Sequence, residues 1–103
     1  MGARGSEEGF ARFERELLQE RAAALLRISS ALEGLLRSLE RLRSEIALAA
    51  VGPDRDARLL RHALTLKEAR RYRWYLEVQR EALGLRNHAG LDEHFPMPEP
   101  IAR

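Results

Sequence analysis

The chain has 103 residues, 45% of them hydrophobic and 33% charged, with a formal net charge of +2. That length suits one small domain, and so dense a charge leaves no run near the ~20 apolar residues that a membrane span needs. Cysteine is absent, which removes disulfides, thiolate metal sites and cysteine nucleophiles, and fits a reducing compartment such as the cytoplasm.

Residues 1–9 read as a flexible leader that ends in a helix cap. Gly2 with Ser6 matches the loose N-myristoylation pattern, but so short a pattern is frequent by chance. Ser6, Glu7 and Glu8 offer a capping hydroxyl and two carboxylates for the positive end of a helix, so helix 1 is expected from about 7 to 50. Within it Leu18, Leu25, Leu32, Leu39 and Ile46 recur every seven residues, with Ile28, Leu35 and Leu42 interleaved. A heptad of this kind favours left-handed packing on another helix. Plotted at 100° per residue, the apolar positions of helix 1 span an arc of about 140°, wider than one antiparallel partner requires.

Ala50-Val-Gly-Pro-Asp-Arg-Asp56 supplies a stop and a restart. Gly52 can take the left-handed conformation that ends a helix, Pro53 cannot continue it, and Asp54 or Asp56 can cap the next one. A turn over 51–54 makes the two helices antiparallel, and helix 2 is expected from about 55 to 89, with Gly90 the terminator rather than Gly84. If the hairpin turns at Pro53, positions summing to about 106 share a height, which sets Gly34 beside Arg71 and Tyr72 and lets it make room for a bulky neighbour.

Helix 2 carries two apolar strips. Leu60, Leu64, Tyr75, Val78, Ala82 and Leu85 form one, interrupted by Lys67, Glu68 and Arg71; it is expected to face helix 1. The second, about a third of a turn away, holds Ala69, Tyr72, Leu76 and Leu83 and needs a cover. Residues 90–103 read as a tail in which Pro96, Pro98 and Pro100 hold the chain extended. Its Leu91, Phe95, Met97 and Ile101 could fold back along helix 2, since ten extended residues reach ~30 Å.

The expected fold is therefore all-α: an antiparallel two-helix hairpin over 10–89 that dimerises into a four-helix bundle, with a proline-rich tail. Self-association is assigned to Leu18, Leu25, Leu32, Leu36 and Leu39. A protein partner is assigned to Tyr72, Trp74, Tyr75, Leu76, Phe95 and Met97, because aromatics and methionine anchor interfaces.

Chemistry is harder to place on this chain. His88 and His94 lie near Asp92 and Glu93, but a metal site needs three or four converging ligands, and no Glu-x-x-His pair of the di-iron bundles occurs. There is no nucleophile-elbow or phosphate-loop motif. No enzyme activity, metal or cofactor is expected, and the function class is an adaptor, scaffold or chaperone-like module. The rival class is nucleic-acid binding. Seventeen of the eighteen basic residues are arginine, and Arg55, Arg58, Arg73 and Arg80 share a stripe of helix 2 that could follow a phosphate backbone. In outline, a two-helix rod with Asp54 and Asp56 at its tip resembles the coiled-coil fingers that enter the secondary channel of RNA polymerase. Arg55 and Arg58 neutralise this tip, so helix capping accounts for the aspartates.

Overall fold

With no proline before Pro53, nothing breaks the backbone ladder of the first half of the chain. In the computed structural model, which describes residues 2–102 and of residues 2–5 the backbone alone, α1 runs over Gly2–Leu48. Residues 2–9 are thus helix rather than a leader, and Ser6 lies within α1 instead of capping it. A four-residue connection, 49–52, leads to α2 at Pro53–Ala82. Gly52 works at the start of α2 and not at the end of α1: it is the N-cap residue, with φ 154° and ψ −176°, a region open in practice only to glycine. Pro53 follows at the first helical position, where its missing N–H costs nothing. Asp54 and Asp56 make no cap hydrogen bond; they sit in the first turn, where the helix dipole favours them.

Helix 2 ends seven residues before the expected 89. Gly84 takes φ +84°, its N–H donates to the Glu81 carbonyl, and the Leu85 N–H donates to the Arg80 carbonyl at 2.9 Å. This paired closure satisfies two terminal carbonyls and needs a left-handed residue at Gly84. Gly90 instead adopts a right-handed conformation and leads into a single turn, α3, at Leu91–His94.

The helices pair with positions summing to about 103. The Arg58 guanidinium meets the Glu45 carboxylate at 2.5 Å near the tip, and the Arg21 guanidinium donates to the Ala82 carbonyl at 3.0 Å at the far end. Gly34 therefore does not make room for Tyr72: a Cβ there would meet only the end of the Arg37 side chain at 3.8 Å.

The core shows which strip of α2 faces inward. Leu32, Leu39, Leu66, Ala69, Leu76, Leu91 and Phe95 form one buried cluster, flanked by Leu25, Ile28, Leu35, Leu36, Tyr72 and Met97. Nearer the tip Leu42, Ile46 and Leu59 are buried as well. The strip containing Ala69, Tyr72 and Leu76 packs on α1, while Leu60, Leu64 and Val78 of the other strip are exposed. The reason lies in the charges: Lys67 and Arg71 have no ion-pair partner among the described residues and stay in water on the outer arc, whereas Arg58 and Arg73 of the inward half reach carboxylates at its margins.

The tail folds back along the hairpin. Leu91 joins the cluster with Leu76 and Leu25, His94 lies 3.9 Å from Glu33, Pro96 and Pro98 line one groove with Leu36 and Glu40, and the Glu99 carbonyl accepts a 2.6 Å hydrogen bond from Arg43. The single turn of α3 and the extended residues after it thus carry the chain from beside Leu25 to within reach of the Arg43 side chain. The tail covers the excess width of the α1 stripe.

Two stability predictions follow from this packing. Phe95→Ala, which empties a side chain only 4% exposed, should cost about 3 kcal/mol or more in urea denaturation. Gly34→Ala should raise stability by up to about 1 kcal/mol, because the added methyl meets no backbone and the helix gains propensity.

Candidate interaction site

Four of the six residues expected to meet a partner belong to the chain's own interior. Leu76 and Phe95 are buried, and Tyr72 and Met97 pack against the same cluster. Trp74 and Tyr75 are the two that reach the surface, at 59% and 37% exposure. They lie on the outer side of α2 with Leu60, Leu64 and Val78, about half a turn from the inward strip. Their rings pack together: Trp74 and Tyr75 have centroids 5.6 Å apart, and Tyr75 meets Tyr72 edge-on at 5.7 Å. The outer strip is thus an ordered aromatic and aliphatic surface with Lys67, Arg70 and Arg71 around it. None of these three cations takes part in an ion pair among the described residues.

The residues assigned to self-association divide in the same way. Leu32 and Leu39 are buried, and Leu25 and Leu36 pack on the core beneath the tail. Only Leu18 remains open, at 53% exposure. The α1 stripe, which was expected to take a second copy, is covered along its paired part by α2 and the tail. Apart from single side chains such as Leu26 and Leu48, what stays open on α1 is its first part. The helix has 47 residues against 30 in α2, so everything before Arg21 projects beyond Ala82 and carries exposed Phe10, Phe13 and Leu18.

The arginine stripe proposed for nucleic acid lies on the inward half of α2. Arg58 bridges Asp54 and Glu45. Arg73 pairs with Glu77 at 2.7 Å and with Asp92 of α3 at 3.1 Å. Arg80 donates to the Asn87 carbonyl at 2.8 Å and to His88 Nδ1 at 3.3 Å. Three of the four thus fasten the hairpin and its tail together; Arg55 alone makes no such contact. The other ring nitrogen of His88, Nε2, lies 3.2 Å from the Glu81 carboxylate. His94 faces Glu33 at 3.9 Å and stacks edge-on against Phe95. Among the described residues no three potential ligands converge on a metal position, and no helix is long and apolar enough to cross a membrane.

His62 lies among the inward-facing residues of α2. It is 1% exposed in the seam, and its Nε2 has no hydrogen-bond partner among the described residues. Burial pushes its pKa below the ordinary 6.5, and the nearby Arg43 guanidinium lowers it further. A two-residue offset from Leu64, the kind of step that separates an inward from an outward position here, is the signal that could have found it.

No family model, curated protein or solved structure matches the chain.

The buried histidine gives a pH dependence with a definite sign. The unfolded chain takes up a proton at His62 below about pH 6.5 while the folded chain resists it, so stability is full above that pH and falls as pH drops through it. The slope is at most about 1.4 kcal/mol per pH unit for one proton. His62→Leu should remove that component of the slope between pH 5 and 7 in urea titrations, and an unchanged slope would show that His62 is not its source.

Proposed function

We propose that the protein is a non-enzymatic helical interaction module, an adaptor or scaffold, which binds a partner protein through the outer face of α2 and self-associates through α1. One observation carries this reading. The helix presents Leu60, Leu64, Trp74 and Tyr75 on the side turned away from its own core, and an ordered aromatic cluster beside aliphatic residues is the composition of interface anchors. The tail, first expected to share in the partner surface, belongs to the scaffold: its apolar residues hold the hairpin in shape so that the outer face is presented on a rigid rod. The inward-turned arginines support the protein-binding reading over nucleic acid, since Arg58, Arg73 and Arg80 already have carboxylate or carbonyl partners.

The test uses affinity capture from the native cells with the full chain as bait, compared with a Leu64→Glu, Trp74→Ala variant. Both side chains are more than half exposed, so the variant should melt at the same temperature as the parent. Recovery of any specific partner should fall by about ten-fold or more, as expected when an aromatic anchor is lost. Equal recovery by both baits would sink the assignment of this face.

A further inference from the structure

Among the described residues two apolar surfaces of more than one side chain lack a cover, and they point in related directions. The first is the projecting part of α1, with Phe10, Phe13 and Leu18. Its apolar side continues the side of α1 that α2 covers farther along, because Phe10 and Leu17 fall on the same arc as Leu32 and Leu39. The second is the C-terminal half of the outer strip of α2, with Tyr75 and Val78, which faces directly away from α1. A second copy turned end over end, with its α2 set in line beyond Ala82 of the first, brings these surfaces together twice. Each α1 projection then runs alongside the α2 of the other copy and meets its outer face.

Three features of the chain match this arrangement. The projection, from Gly2 to the level of Arg21, is about 28 Å long, enough to span the C-terminal half of α2. The two helices run parallel where they meet, and the three-then-four spacing of Phe10, Phe13 and Leu17 is repeated by Tyr75, Val78 and Ala82, the spacing that lets two parallel helices share an apolar seam. Charge is complementary at one end of the contact: with Phe10 level with Tyr75, Glu7 comes level with Tyr72, beside Arg71, while Glu14, Glu16 and Glu20, interspersed with Arg12 and Arg15, lie past the lysine and arginines that border the strip. Pairing two outer strips with each other would instead oppose their lysines and arginines.

We propose that the protein forms a two-fold homodimer in which the N-terminal projection of α1 in each copy docks on the outer face of α2, near Tyr75 and Val78, in the other. The contact is self-complementary and closes on two copies, so it generates dimers and not filaments. It rests on the self-association reading above and specifies its surface. In the dimer Tyr75 is taken up by the second copy, and Leu60 and Leu64 nearer the tip, with Trp74 at the edge of the contact, remain open for the partner protein.

The test combines mass measurement with cross-linking in the full chain. Light scattering should report twice the 11.8 kDa chain mass, and Phe10→Glu with Phe13→Glu should weaken the dimer by about ten-fold or more. Helix content by circular dichroism should stay unchanged, since both side chains lie outside the core. The absence of cysteine then permits a positional test. Within one chain Phe13 and Val78 are about 18 Å apart along the rod, too far for a disulfide. A chain carrying both Phe13→Cys and Val78→Cys should form a covalent dimer on mild oxidation, and neither single substitution should. A monomeric parent would overturn both the self-association reading and this dimer. A dimeric parent that tolerates Phe10→Glu with Phe13→Glu, or that cross-links through either single cysteine substitution, would overturn this arrangement alone.

Discussion

Two antiparallel helices share one seam, and one seam does not enclose a core. The structure depends on the third wall that the tail provides. Leu91 and Phe95 enter the cluster formed by Leu32, Leu39, Leu66, Ala69 and Leu76, and turn a two-sided contact into a surrounded one. Prolines at 96, 98 and 100 reduce the freedom the tail loses when it docks, so apolar contact need offset less entropy there than for a flexible segment. The short closure at Gly84 matters for the same reason: it turns the chain back early enough for ten residues to reach the middle of α1.

The charged residues follow from this three-walled plan. An extended tail makes few backbone hydrogen bonds of its own, and beyond Phe95 its link to the helices is made by the Arg43 guanidinium at the Glu99 carbonyl. Arg73 and Arg80 hold the connecting segment from the other side. Arginine suits this task because its fork can reach two acceptors at once, as Arg58 does between Asp54 and Glu45. These pairs are partly exposed, so each adds little net stability; what they supply is direction to a segment without secondary structure.

Much of the architecture was legible because it depends on local signals. The seven-residue repeat of leucines in α1 and the Gly52-Pro53 reversal are readable from spacing and backbone chemistry, whereas the tail, expected along helix 2, lies against α1. The inward face of α2 was not, since Leu60 and Leu64 are as apolar as Leu59 and Leu66, and periodicity gives two strips without saying which one a distant segment will cover. That choice rested on avoiding burial of Lys67 and Arg71, a cost counted only once the partner surface exists. The end of α2 was misread for a related reason: Gly84 and Gly90 are chemically identical, and the left-handed conformation goes to the one from which Leu91 can reach the core. The width of the α1 stripe was read as a demand for a second copy of the chain as its second neighbour. That neighbour is instead the chain's own tail, and this left the candidate partner surface smaller and on the opposite side of α2.

The position of Trp74 has a consequence for observing the molecule. It is the single tryptophan, and it stands 59% exposed on the outer face, away from the core. In most small domains indole emission follows unfolding, because the ring moves from a dry interior into water. Here the ring is already largely hydrated in the folded state, so its colour is nearly silent to denaturation and sensitive to anything that settles on the outer face. The chain thus carries an intrinsic optical reporter of occupancy, spectrally separate from the tyrosines beside it.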